Sequence, residues 1–249
     1  MSRIKISQKS EANGKVNQDS LAVIPQGDRA ILCIADGVGG LDAGEIASRY
    51  ITSYVEVWAG DNDTNSMGRM STLRSLKDLI LKLHDDLLGI GDERDARLAS
   101  TVIVAVVGIG KIIIAAVGDS RVYIRQGETT KQITVDQTVE EHEKQTGEII
   151  TRVAPDRKSQ VLYEWIGYGK ETPNMKFYEM DINEDIDVLL CTDGLSNNLT
   201  EEDIYRQLRK RQSGAKALDA LTELAVSRGE DDNITSILYR RRAEKKRKR

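Results

Sequence analysis

The 249-residue sequence predicts an α+β sandwich in which helices cover packed antiparallel sheets. Three observations support this. Several β-branched runs are almost continuously apolar, as strands covered on both faces are. Two of these runs, residues 101–107 and 111–117, are joined by Gly108-Ile109-Gly110, the short link of an antiparallel hairpin. The helical patterns come in sequential pairs rather than one between each pair of strands.

In chain order, strands are expected at residues 21–24, 31–35, 101–107, 111–117, 122–125, 187–191 and 234–239. A first helix is expected to bury Ile46, Tyr50, Tyr54 and Trp58, at four-residue spacing. A second carries Leu73, Leu76, Ile80, Leu83 and Leu87 at alternating steps of three and four. A third begins after Thr200, with Asp203 as the acidic partner of a capping box. A fourth uses Leu218, Leu221, Leu224 and Ala225. No Pro/Gly/Ser-rich stretch separates two halves, so residues 1–239 read as one domain.

Residues 240–249 hold eight Lys/Arg and one Glu, so the net charge of −4 conceals a strongly acidic body followed by a basic tail. Repelling like charges predict a disordered tail, with weak attraction to an anionic membrane or acidic partner as its alternative use. The acidic body argues against nucleic acid as a ligand. Cys33 and Cys191 lie in apolar strand-like runs, without CxxC spacing, which points to a reducing compartment. The amino-terminal residues lack the apolar centre of a signal peptide, and the longest apolar run is interrupted by Gly108, Gly110 and Lys111. A cytoplasmic monomer is expected.

Acidic motifs recur at strand ends: Asn17-Gln18-Asp19, Asp36-Gly37-Val38-Gly39-Gly40, Gly118-Asp119-Ser120-Arg121, Thr192-Asp193-Gly194-Leu195 and Asp231-Asp232-Asn233. One Asp-Gly pair alone is usually a turn. A carboxylate at the end of a buried strand is costly unless paired or bound to a cation, and five such positions call for a common partner. Histidine does not supply it: His84, beside Asp85 and Asp86, and His142, between Glu141 and Glu143, read as solvated. An all-oxygen site selects Mg2+ or Mn2+ over zinc.

These motifs, with Gly44-Glu45-Ile46-Ala47-Ser48 after the second and Ile234-Thr235 after the last, resemble in content and order the signature set of metal-dependent 2C-type serine/threonine protein phosphatases, in their bacterial form. The resemblance runs from about Asn17 to Thr235. It implies a four-layer αββα sandwich with two central antiparallel sheets. It further implies that Asp36 bridges two metal ions, that the Gly37 carbonyl serves one, and that Asp193 and Asp232 hold the other. Asp19 orients bound water, and Asp119 with Asp193 serves a weaker third ion. The implied chemistry is in-line attack of a metal-bridging hydroxide on phosphoserine or phosphothreonine, without a phosphoenzyme. The implied substrate is a phosphoprotein, opposite a serine/threonine kinase.

Three positions depart from the family pattern. Gly14 stands where many relatives carry an arginine that grips phosphate; neighbouring Lys15 offers a point charge instead, or is an exposed loop lysine. Val38 stands where some relatives have histidine, a residue that bacterial-type members commonly lack. Asn197 replaces a further aspartate, which weakens the third ion's site. Residues 138–169 are expected to form a mobile substrate-facing flap. A silent phosphoprotein-binding scaffold would be expected to have lost metal aspartates, yet Asp36, Asp193 and Asp232 are all present. A phosphatase for small phosphorylated metabolites is the other rival.

Overall fold

The computed structural model describes residues 3–12, 16–27, 29–38, 43–108, 110–167, 169, 171–182 and 185–242. In chain order these form β1 (Arg3–Glu11), β2 (Asp19–Gln26), β3 (Arg29–Asp36), α1 (Gly44–Asp61), α2 (Arg69–Arg94), β4 (Val102–Val107), β5 (Lys111–Val117), β6 (Arg121–Gln126) and β7 (Thr129–Gln132). There follow α3 (Val139–Thr146), β8 (Lys176–Asp181), β9 (Ile186–Cys191), α4 (Asp193–Ser196), α5 (Glu201–Leu208), α6 (Gly214–Ser227) and β10 (Ile234–Arg242). One sheet has the order β1-β10-β9-β6-β7 and the other β2-β3-β4-β5-β8; every neighbouring pair is antiparallel.

The strand period of two sorts the apolar residues into three layers of core. In β3, Ile31, Cys33 and Ala35 face α1 and α2, while Leu32 and Ile34 face the other sheet. In β4, Val102, Val104 and Val106 take the helix side and Ile103, Ala105 and Val107 the sheet side. Val122, Val188, Leu190 and Ile237 complete the middle layer from the second sheet. The third layer packs Leu189, Cys191 and Leu238 against Ile204 and Leu208 of α5 and Leu218 and Leu221 of α6. Each fully buried aliphatic side chain in these layers contributes about 1.5–3 kcal/mol. Three interfaces between four layers make the expected αββα sandwich, and its central strands are apolar on both faces for this reason.

The details bring corrections. The stripe of α1 that is fully buried is Ala47, Ile51 and Val55, reaching Trp58, while Ile46, Tyr50 and Tyr54 flank it half-buried. The smaller side chains lie nearest the sheet because they allow the helix to approach it. His84 is buried rather than solvated: its Nδ1 accepts from the Gly167 amide at 3.2 Å, and desolvation holds its pKa below the ordinary value. His142 is half-buried, with its ring stacked on Tyr163 at 3.6 Å between centroids. The Thr200 capping box forms as expected, the Asp203 amide donating to Thr200 Oγ1 and the Thr200 amide to Asp203 Oδ2. Among the described residues no helix is long and apolar enough to cross a membrane.

The expected basic tail begins too early. Arg240, Arg241 and Arg242 continue β10, paired with β1, and Arg240 and Arg241 are buried. Arg240 and Arg242 contact the buried Asp187, and Arg241 donates to the Gly108 carbonyl. These partners account for cations inside a strand where sequence shows only a run of like charge. Residues 243–249, the rest of that tail, lie outside the described residues.

Candidate active site

In antiparallel sheets the end of one strand lies beside the start of the next, which gathers the acidic motifs at one end of the sandwich. Asp19 opens β2 and Asp36 closes β3, directly opposite each other in the register. Cys191, the last residue of β9, is opposite Arg121 at the start of β6 and Ser236 near the start of β10. Asp193, Asp119 and Asp232 therefore emerge together from the other sheet. Two hydrogen bonds tie the sheets here: Thr192 Oγ1 donates to Asp19 Oδ2 at 2.9 Å, and the Gln18 amide donates to Asn233 Oδ1 at 2.8 Å.

Two close approaches require glycine. A Cβ on Gly37 would lie 2.2 Å from the Gly44 carbonyl oxygen, so the Asp36 loop seats directly against the start of α1. A Cβ on Gly194 would lie 2.1 Å from the Asn233 carbonyl oxygen, and its absence lets the turns bearing Asp193 and Asp232 touch.

The backbone of Asp36 is held firmly. Its amide donates to Thr101 Oγ1 at 3.1 Å, and its carbonyl accepts from the Thr101 amide at 2.8 Å and from Ser100 Oγ at 2.7 Å. Arg121 clamps Asp136 with two nitrogens, Nε at 3.0 Å and Nη2 at 2.7 Å, and reaches the Ser196 carbonyl, joining the Asp119 loop to α4. Asp36, Asp119, Asp193 and Asp232 line one cavity of about 580 Å3, together with Val38, Arg152, Arg157, Gln160, Leu162 and Trp165. Asp19 stands beside it, buried on Thr192.

So many carboxylates together strain against ionisation. Desolvation raises Asp19 to about 6. Asp36 and Asp119 are pushed well above the carboxylate range, first by burial and then by neighbouring aspartates. Burial and Asp232 likewise raise Asp193. Oδ1 of Asp193 is buried with no hydrogen-bond partner among the described residues. An orphaned acceptor amid mutually repelling carboxylates fits a divalent cation. Among the described residues no three acidic, imidazole or thiol side chains close into a ready-made cage. A cation here would complete its shell with backbone carbonyls and water, as hard divalent ions do.

Asp19, Asp36, Gly37, Asp119, Asp193 and Asp232 are thus brought together as the sequence led one to expect. Lys15 and Gly14 lie outside the described residues. The expected flap, 138–169, includes α3 and the 3-10 turn Pro155–Arg157, and its Val139, Arg152, Arg157, Val161 and Trp165 face the cavity. Sequence reasoning passed over Arg157, Gln160, Thr101 and Ser100. Thr192, Arg121 and Asn233 among the supporting groups carried a signal, from their places in motifs.

The model of the protein phosphatase 2C family matches residues 7–227. The chain belongs to the protein phosphatase 2C family. Its similarity to the serine/threonine phosphatase stp of Listeria monocytogenes serovar 1/2a is 28% identity over 235 residues, covering 90% of each chain. Among solved structures it matches the S. agalactiae serine/threonine phosphatase with a TM-score of 0.82 at 23% identity, over 96% of this chain and 99% of that one. It matches the serine/threonine phosphatase Stp1 from Staphylococcus aureus with a TM-score of 0.83 at 24% identity, over 96% and 95%. These likenesses place the 2C fold across nearly the whole chain, including β1, which begins before the first acidic motif.

The raised carboxylates of this 2C site set a pH dependence. A carboxylate whose folded pKa lies above its unfolded value binds more protons in the native state, so its contribution falls as pH rises. For Asp19 the loss runs from about 4 to about 6. In chelator, therefore, this site destabilises the protein increasingly through that window. A divalent cation such as manganese held by these carboxylates would compete with those protons, so a rise in Tm on adding manganese should be larger at pH 7.5 than at pH 5. Thermal denaturation with and without manganese across this range checks it; a pH-independent rise would contradict binding at these carboxylates.

Proposed function

We propose that this chain hydrolyses phosphoserine and phosphothreonine in proteins, using Mn2+ or Mg2+ held by the clustered aspartates. The observation that carries this reading is the convergence of Asp36, Asp119, Asp193 and Asp232 on one cavity with Arg152 and Arg157. Asp36, Asp193, Asp232 and the Gly37 carbonyl would hold two ions, and Asp119 with Asp193 a weaker third. Bound there, the ions would supply an activated water nucleophile and neutralise phosphoryl charge. Asp19, which accepts from Thr192 and lies opposite Asp36 in the register, would orient a water there. Arg152 and Arg157 offer guanidinium forks to the anionic substrate, a role that Lys15 would share. Trp165, Leu162 and Val139 give the same cavity apolar wall that limits bulk water.

The substrate is then a phosphoprotein, and the opposing enzyme a serine/threonine kinase. Two free buried cysteines agree with a reducing, cytoplasmic setting, and we read the chain as a monomer. The decisive assay is phosphate release from phosphoserine and phosphothreonine peptides with manganese, magnesium or chelator. Release with metal and none with chelator is expected; silence in every condition would overturn the reading.

Asn197 Nδ2 donates to Asp193 Oδ2 at 3.1 Å, so an amide stands beside a ligand of the weaker ion. Asn197→Asp should tighten the weakest phase of a calorimetric manganese titration several-fold, and Asp119→Ala should remove that phase while sparing the tighter two. An unchanged weakest phase in Asn197→Asp would take this residue out of the metal site.

A further inference from the structure

At the end of the sandwich away from the aspartates, the sheet that contains β9 carries a rung of charge. The row Tyr123–Leu189–Leu238, facing α5 and α6, is apolar. Two residues further along, the cross-strand row is Arg125–Asp187–Arg240, extended on β1 by Lys5. Asp187 is fully buried and receives Arg125 Nε at 2.7 Å, Arg240 Nε at 3.0 Å and Arg242 Nη2 at 2.5 Å. One carboxylate thus faces three guanidinium groups, while Lys5 stands directly opposite Arg240.

Like charges opposite each other in a sheet are destabilising, and surplus buried charge more so. Nothing in the catalytic chemistry requires this arrangement. Above the rung the α5–α6 connection adds Arg209, Lys210 and Arg211, all exposed. Lys210 Nζ donates to Gln207 and Arg209 lies over the Tyr205 ring, both neutral partners. Together with Lys5, Arg125, Arg240 and Arg242, these residues line a cleft of about 390 Å3.

We propose that this cleft docks a second phosphorylated segment of the protein substrate, remote from the phosphate that reacts. The inference rests on the phosphoprotein reading above. Arg240 is six residues along β10 from Ile234, which places the cleft about 20 Å from the aspartates at roughly 3.3 Å per residue. Guanidinium groups dominate the lining, and their planar forks match phosphate oxygens. A membrane surface fits less well, because the site is concave and none of the exposed large apolar side chains lines it. Nucleic acid fits less well, because a long polyanion would run onto the acidic body.

The test compares wild type with the double variant Arg209→Glu, Arg211→Glu, whose side chains are exposed and outside the catalytic cavity. The probe is a peptide with two phosphothreonines about seven residues apart, set against its singly phosphorylated form. Wild type should show a KM about tenfold lower for the doubly phosphorylated peptide. The variant should lose that advantage, with kcat and all constants for the singly phosphorylated peptide unchanged. In chelator, fluorescence anisotropy should show about tenfold weaker binding of the doubly phosphorylated peptide by the variant, and near wild-type binding by Arg209→Lys, Arg211→Lys. Equal binding by wild type and the glutamate variant would overturn the proposal. So would loss of binding to phosphatidylserine vesicles without loss of peptide binding, which would assign the cleft to a membrane. If no peptide is hydrolysed while cleft-dependent binding persists, the catalytic reading fails and the cleft stands; hydrolysis without cleft-dependent binding is the reverse.

Discussion

Asp36→Asn is expected to reduce phosphopeptide hydrolysis at least about a hundredfold at saturating manganese while the chain stays folded. The substitution keeps the shape of the side chain and removes the charge at the point where both sheets present carboxylates. It also relieves repulsion from Asp19, Asp193 and Asp119, which raises the Asp36 pKa once burial has done most of that work. In chelator the variant should therefore be more stable than wild type, with Tm rising about 2–4 °C for each kcal/mol relieved. Loss of activity with gained stability separates a functional carboxylate from a structural one. Retention of more than about a tenth of the wild-type rate would sink the assignment, and the same limit applies to Asp193→Asn and Asp232→Asn.

Asp187→Ala is expected to be the most destabilising single change outside the apolar layers. It leaves Arg125, Arg240 and Arg242 facing one another without their shared acceptor. Breaking a buried ion pair by removing one partner costs about 3–5 kcal/mol, which lowers Tm by about 10 °C in a chain of this size. Arg242→Ala should cost much less, because its side chain is 35% exposed and water screens the pair. Urea denaturation of both variants decides the matter. A loss below about 1 kcal/mol for Asp187→Ala would mean that the arginines find other partners.

The central strands were legible because burial on both faces writes a continuous apolar run, as in Ile103–Val104–Ala105. The three strands that sequence reading missed, β1, β7 and β8, are all at sheet edges. An edge strand has one neighbour, and these three keep many polar residues: Arg3, Lys5 and Ser7 alternate with Ile4 and Ile6 in β1. The helix periods were legible to within about one residue. In α1 the large aromatics Tyr50 and Tyr54 drew the stripe to themselves, whereas packing against a sheet favours the smaller Ala47 and Val55.

The aspartates were legible because each sits in a local motif at a strand end, so that order along the chain carries the information. The flap residues Arg152, Arg157 and Gln160 carry no such mark, since their role comes from how a loop folds back over the cavity. Buried charge was the other blind spot. Asp187 and Arg240 look like solvated residues until the register of β9 and β10 sets them side by side. His84 was misread for the same reason: Asp85 and Asp86 flank it in sequence, but the helix turns its ring inward to the Gly167 amide.

The pairing of β1 with β10 bears on how the molecule is born. β2, β3, β4, β5 and β8 can complete their sheet once residue 181 has left the ribosome. The other sheet cannot close until later, because β10 sits between β1 and β9 and is made after the other described strands, leaving β1 to wait for partners such as Tyr239 opposite Ile6. Asp232, just ahead of β10, arrives in the same late stretch. Until β10 has emerged, a nascent chain thus holds half its sandwich and an incomplete set of aspartates, so the site cannot assemble before then. Pairing across so much intervening sequence also makes closure of that sheet the slow step in refolding.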